Sequence, residues 1–282
     1  MADPQPISPI LLCLGGHDPS GGAGIQADAE AARAAGIHAA TIVSCLTTQD
    51  TRGLRGLWPQ PVEQVESQCR LILEDSQVRA LKVGLIGSAR LAQWLCQLAK
   101  EYPQLPLVLD PVLASGAGQG VTDAALRDQL RTHLLRHCFL ATPNLPEAQA
   151  LSGARHPDDC AHRLLASGCP WILITGTHDH HPEVVNRLYG HDGGFHGWNW
   201  PRLPHVYHGS GCTLASAIAA RLALGMGMVE AVAEAQRYTW HSLRTATRTG
   251  QGQWTPNRLY PDRESHGKVF HFQGGDPPPH ES

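Results

Sequence analysis

No run of about 18 apolar residues occurs anywhere in the chain, so nothing in it reads as a membrane-crossing helix. The N-terminus MADPQPISPI has neither the positive start nor the apolar block of a secretory signal, and a cytoplasmic protein is expected. Basic clusters are missing too. With Lys+Arg 22 against Asp+Glu 25 and a net charge of −3, the chain offers nucleic acid or an anionic membrane no electrostatic footing. Its eight cysteines never form C-x-x-C, which argues against a zinc or disulfide framework and for reduced thiols used mostly as core filler. The phosphate-binding run G-x-x-x-x-G-K-[ST] is absent, as are V-A-I-K, H-R-D and D-F-G, so neither a P-loop kinase nor a protein kinase fits.

What is present is a steady alternation of apolar runs and helix-period segments. ISPILLCLGG, AGIQADAEAARAAG, HAATIVSCLTT, PVEQVESQCRLILED, ALKVGLIG and SARLAQWLCQLAKEY follow one another, and LPLVLDPV to PWILITGT continues the rhythm. This predicts an α/β fold with a mostly parallel sheet and helices on both faces. VVNRLYG and GFHGWNW read as short strands of an antiparallel edge, followed by two helices. Length and composition favour one domain over residues 10–250, preceded by a tail (1–9) and followed by a partly disordered extension (251–282) that ends in the Pro/Gly-rich GGDPPPHES. His178, His180 and His181 in THDHHPE lack carboxylate or cysteine support and read as a solvated loop.

The richest stretch is HGSGCTLASAIAARLALG, residues 208–225, where a glycine turn enters a long apolar helix. A helix start carries unpaired N–H groups and a partial positive charge, and Gly209 and Gly211 let an anion approach them. With Ser210 they are a candidate anion hole. Cys212 at its edge is a candidate base or nucleophile, its thiol pKa expected below the free value of about 8.5. Equally, Ser210 can be a plain N-cap and Cys212 mere packing.

Other polar motifs also fall at strand ends, where ligands bind in open parallel sheets. GHDPSGGAGIQAD is a loose match to the dinucleotide fingerprint through Gly22, Gly24 and Ala27, and reads better as a loop on which a flat substrate lies. Asp110 in VLDPVL suits Mg²⁺, which takes one or two carboxylates beside phosphate oxygens. Asn144 and Glu147 in NLPE have the spacing of a capping box, yet can also join Asp110 in a metal–nucleotide site.

GHDPSGGAGIQAD, TTQDTRG, LDPVL, TPNLPEA and HGSGCT, in this order over roughly residues 10–250, resemble the hydroxymethylpyrimidine/phosphomethylpyrimidine kinases of thiamine biosynthesis, within the ribokinase-like superfamily. The resemblance implies a three-layer α/β/α sandwich, ATP with Mg²⁺, and two successive phosphorylations of 4-amino-5-hydroxymethyl-2-methylpyrimidine. By motif it implies that Gly209, Ser210, Gly211 and Cys212 form the anion hole, with Cys212 also the base. Ala23, Gln49 and Leu85 would contact the pyrimidine, Asp110, Asn144 and Glu147 would organise magnesium and triphosphate, and Thr175 and Gly176 would border the nucleotide. A homodimer is common among such relatives. Two departures stand out: ASGAGQG at residues 114–120 lacks the lysine of a K-S-G segment, and Thr175-Gly176-Thr177 replaces Lys-Gly-Gly. Rival expectations are a pyridoxal kinase of the same fold, a silent pyrimidine-binding regulator, and an acyl-transfer enzyme acting through Cys212.

Overall fold

The structure is a computed structural model that describes residues 7–114, 120, 122–177, 182–260 and 271–273. The three histidines of THDHHPE, most of the 114–120 loop and the GGDPPPHES tail lie outside the described residues.

Strand β1 (Ile10–His17) is buried on both faces, as a central parallel strand must be, and its side chains divide between two cores. Leu11 and Cys13 meet helices α1 (Gly24–Ala34), α7 (Ser210–Ala223) and α8 (Met228–Arg244), while Ile10, Leu12 and Leu14 face the opposite layer. That layer holds α2 (Val62–Asp75), α3 (Ala89–Glu101), α4 (Ala124–Gln129), α5 (Leu145–Ser152) and α6 (Pro157–Ala166). Helix α4 loosens into a π turn over Leu130–Leu134 and a 3₁₀ turn over Leu135–His137. The result is the three-layer sandwich expected.

From β1 the chain steps outward to β2 (His38–Asp50) and β3 (Gly53–Pro59), then returns to β4 (Val78–Val83) on the other side of β1. β5 (Leu107–Leu109), β6 (Leu140–Ala141) and β7 (Trp171–Ile174) follow in parallel. β8 (Glu183–Gly190), β9 (Phe195–Pro201) and β10 (His271–Gln273) close that side antiparallel, bearing out the edge read from VVNRLYG and GFHGWNW. The reversal of direction at β1 and β4 opens a crevice beyond their carboxyl ends.

Strand β3 was not anticipated. It forms an antiparallel hairpin with β2, and its GLRGLWP sequence, broken by glycines, gives little periodic signal. Nor does the 251–282 segment stand apart from the 10–250 unit where it is described, since Arg258 is 1% exposed and β10 extends the sheet. The eight cysteines are all free, seven of them buried and Cys212 half-buried. Among the described residues no helix is long and apolar enough to cross a membrane.

Candidate active site

A cleft of about 850 Å³ runs along the carboxyl ends of the strands, within the range of small-molecule sites. Ala23, Gln49, Leu85, Asp110, Asn144, Glu147, Thr175, Gly209, Ser210, Gly211 and Cys212 all lie on its wall. Gly176 does not: its N–H donates to Asn186 Oδ1 at 3.0 Å, behind the surface.

Two glycine-rich loops meet at the centre. In the loop after β1, buried Asp18 accepts from the backbone N–H of Ser20 (2.9 Å) and Ala23 (2.8 Å) and from Ser20 Oγ (2.8 Å). From the second loop, His208 Nε2 lies 2.7 Å from Asp18 Oδ2, joining the segment before α1 to that before α7. Burial alone would raise the Asp18 carboxyl, but His208, Ser20 and Gln49 outweigh it and hold the group well below the usual carboxylate range. Arg258 reinforces the junction. Its guanidinium donates to the Gly22 carbonyl, to Thr213 Oγ1 at 2.8 Å, and to Glu30 at 3.0 Å.

Gly209, not Ser210, is the N-cap of α7, with φ +80° and no side chain capping the helix. A side chain there would collide with the Gly22 carbonyl and sit 2.9 Å from Arg258 Nη2, so the close approach of the two loops requires glycine. Ser210 therefore does not cap the helix, and no side chain caps the start of α7, whose first residues line the cleft.

Cys212 sits in that first turn beside Asp110, at the end of β5, to which its thiol is hydrogen-bonded. The expectation of a lowered thiol pKa fails. Burial pushes Cys212 up to about 12; Lys82 opposes the rise, Asp110 and Asp28 add to it, and a hydrogen bond from the Gly24 N–H lowers it a little. Desolvation and the neighbouring carboxylates set the thiol, against the lowering expected for a cysteine at a helix start. Asp110 itself is raised by burial, with Lys82 pulling it down and Asp28 up.

Behind this pair lies a charge cluster that sequence reasoning missed. Lys82 of β4 and Asp28 of α1, both fully buried, are 2.7 Å apart, and Ser216 of α7 donates to the same Asp28 oxygen at 2.6 Å. Burial disfavours the ammonium, yet Asp28, Cys212 and Asp110 hold its pKa above the ordinary lysine value. The available signal was a lone lysine inside the apolar run ALKVG. Arg258 and His208 carried no comparable signal, because their roles depend on contacts across hundreds of residues of chain.

Further along, the capping box of α5 is formed: Asn144 Oδ1 accepts from the Glu147 N–H (2.9 Å) and Glu147 Oε2 from the Asn144 N–H (3.0 Å). Glu147 Oε1 also accepts from Leu113 N–H at 3.2 Å. Burial, and then the Asp110 charge, push Glu147 up to about 8. Two buried carboxylates, of which Asp110 raises Glu147, suit a divalent cation bound in part by phosphate and water; Asn144, its Oδ1 held by the cap, enters as the organiser of Glu147. Among the described residues no group of three or more His, Cys, Asp or Glu forms a metal cage.

At one end of the cleft, a bulge between Thr48 and Gln49 re-aims β2 so that Gln49 lines the wall with Ala23, Leu54 and Leu85. At the other end, Thr175, Val184, Trp200, Gln236 and Trp240 form a largely apolar wall.

Comparison with known proteins accords with this geometry. A profile described as phosphomethylpyrimidine kinase matches residues 18–257. A hydroxymethylpyrimidine/phosphomethylpyrimidine kinase of Streptomyces coelicolor is 37% identical over 88% of this chain and 94% of its own length. The crystal structure of a phosphomethylpyrimidine kinase from Clostridium difficile superposes with a TM-score of 0.72 at 31% identity, covering 82% of this chain and 97% of that one. An ADP complex of Bacillus subtilis pyridoxal kinase gives 0.82 at 25% identity, over 90% and 98% of the two chains. The ribokinase-like sandwich, the two fused glycine loops and these likenesses agree, and the chain belongs to the phosphomethylpyrimidine kinase family.

Proposed function

We propose that this chain transfers the γ-phosphoryl group of ATP to the hydroxymethyl oxygen of 4-amino-5-hydroxymethyl-2-methylpyrimidine, and then a second phosphoryl group to the resulting monophosphate. The observation that supports the reading is the Asp18/His208 contact, which joins the loop before α1 to the loop before α7 beside a cleft lined by Gln49, Cys212 and Thr175.

In this reading Ala23, Gln49 and Leu85 hold the flat ring, and the amides of residues 209–212 receive the charge of the group in transit. Phosphoryl transfer relies on positioning more than on covalent help, and that is what the fused loops supply. As the new P–O bond forms and ADP departs, Cys212 Sγ collects the alcohol proton. The thiol is protonated at rest, so its own proton must leave to water before it accepts another, a loss that the Lys82 ammonium favours. Magnesium held by Asp110 and Glu147 would screen the phosphate oxygens. In the second step the acceptor is already an ionised phosphate, and a base matters less. Thr175 and Gly176 would border the nucleotide, Gly176 through the position of its backbone.

The likeness to pyridoxal kinase folds supports a second reading, in which a substituted pyridine occupies the Gln49 end. One assay separates them: ADP release from Mg-ATP with the pyrimidine alcohol, its monophosphate and pyridoxal offered separately. Turnover with both pyrimidines is expected; turnover with pyridoxal alone, or with none of the three, would sink the proposal. We also propose a cytoplasmic homodimer, supported by edge strand β3 and the exposure of Trp58 (53%) and Leu46 (45%) on the β2/β3 hairpin. A monomer mass by light scattering at micromolar concentration would dismiss the dimer, and fractionation of cells with the membrane or secreted pool would dismiss the location.

A further inference from the structure

Helix α8 presents Gln236, Thr239, Trp240 and Leu243 to the cleft, at the i, i+3, i+4, i+7 spacing of one helical face. Most polar atoms of this wall are already engaged. Thr239 Oγ1 donates to the Ala235 carbonyl at 2.7 Å, Trp240 Nε1 to the Pro201 carbonyl at 3.0 Å, and Trp200 Nε1 to Gln236 Oε1 at 3.0 Å. Asn186 Nδ2 donates to the same Gln236 oxygen at 2.8 Å, while Asn186 Oδ1 accepts from the Gly176 N–H.

This chain of bonds determines which way both amides point. A backbone N–H and an indole N–H can only donate, so Asn186 must turn its oxygen to Gly176 and Gln236 its oxygen to Trp200. Gln236 Nε2 is thereby forced away from both. It has no acceptor among the described residues, although Gln236 is only 2% exposed. An amide donor buried without a partner is unfavourable, and such a group in a binding cleft points to an acceptor arriving with the ligand.

The surroundings identify the ligand's chemistry. Trp200 and Trp240 have ring centroids 6.2 Å apart at 29°, and with Val184 and Leu243 they make an apolar surface for a flat ring. The phosphate-binding features lie elsewhere, at the α7 start and the Asp110/Glu147 pair. Asn186 connects Gln236 directly to the backbone of Gly176.

We propose that Gln236 is a specificity-determining residue of the nucleotide site, its Nε2 donating to a ring-nitrogen acceptor of a purine base lying between Gln236 and the Trp200/Trp240 surface. The inference rests on the kinase reading above, and its test can fail independently of that reading. ADP and its 1-deaza, 3-deaza and 7-deaza analogues, each lacking one ring acceptor, are titrated calorimetrically into the wild-type chain and into Gln236→Met. One analogue is expected to bind the wild type about tenfold more weakly than ADP, equivalent to roughly 1.4 kcal/mol. Gln236→Met should lose a similar factor for ADP and no longer distinguish that analogue, with KM for the pyrimidine unchanged. If all three analogues bind the wild type like ADP, the inference is overturned even where pyrimidine phosphorylation persists, and this arm needs no variant. If the deaza pattern holds in a chain that phosphorylates no pyrimidine, the kinase reading falls and the Gln236 contact stands.

Discussion

The two ends of the cleft are built from different physics. Around the α7 start, charged groups do the holding: Asp18 with His208, Lys82 with Asp28, and Arg258 with Glu30 and the Gly22 carbonyl. At the far end a neutral chain of amides and indoles, Gly176 to Asn186 to Gln236 to Trp200, does the same work. Charge pairs in a low-dielectric interior resist displacement, which suits a place where a highly charged group must be met by donors already in position. Neutral amides and aromatic faces match an uncharged base, whose recognition depends on shape and on one or two hydrogen bonds. Perturbing the first end should therefore damage chemistry and folding, whereas perturbing the second should change nucleotide affinity alone.

The sharpest attempt to break this contrast is Cys212→Ala. Loss of a positioned proton acceptor typically reduces a rate by about 10²–10⁴-fold, and a loss in that range is expected for the pyrimidine alcohol, with a much smaller one for the monophosphate. Equal residual rates for the two acceptors would remove Cys212 from its role.

Next in size is Lys82→Met, which leaves Asp28 buried without its cation. Breaking one partner of a buried pair costs about 3–5 kcal/mol, to be read from the denaturant midpoint. Lys82→Met combined with Asp28→Leu should recover most of that loss, since two apolar side chains leave no charge stranded. An unchanged midpoint in the single variant would show that the cluster contributes nothing to the fold.

Smallest is Asp18→Asn, expected to cost about 1–3 kcal/mol at pH 7, as for hydrogen bonds to a charged group. The folded-state pKa of Asp18 lies below its ordinary value of 3.8, so its contribution is present above that value and lost as pH falls through the folded one. Wild type and variant should thus converge in stability as pH is taken below about 4, and a gap that stays constant down to pH 2 would contradict the assignment.

Much of this site was readable from the residues because each motif follows a strand. Ala23 comes after β1, Gln49 ends β2, Leu85 and Asp110 follow β4 and β5, and a parallel sheet delivers all such ends to one side. The capping box of Asn144 and Glu147 was equally legible, being local in sequence. Strand β3 escaped because glycines interrupt its pattern. Gln236 escaped because, on an amphipathic helix, a glutamine looks like any polar residue until its oxygen is seen to be held by Trp200 and Asn186.

Cys212 marks the boundary most clearly. The order of motifs, the alternation of strands and helices, and the glycine turn before α7 are short-range properties, and they sufficed to establish the family, the layers and the place where the cleft opens. Whether that sulfur rests as thiol or thiolate depends first on its burial and then on Lys82, which lowers its pKa, and on Asp110 and Asp28, which raise it, all brought to it from distant parts of the chain. Backbone conformation follows from neighbours along the chain, whereas charge states and orphaned hydrogen-bond donors follow from neighbours in space, and those exist only once the sheet has brought distant residues within a few ångströms.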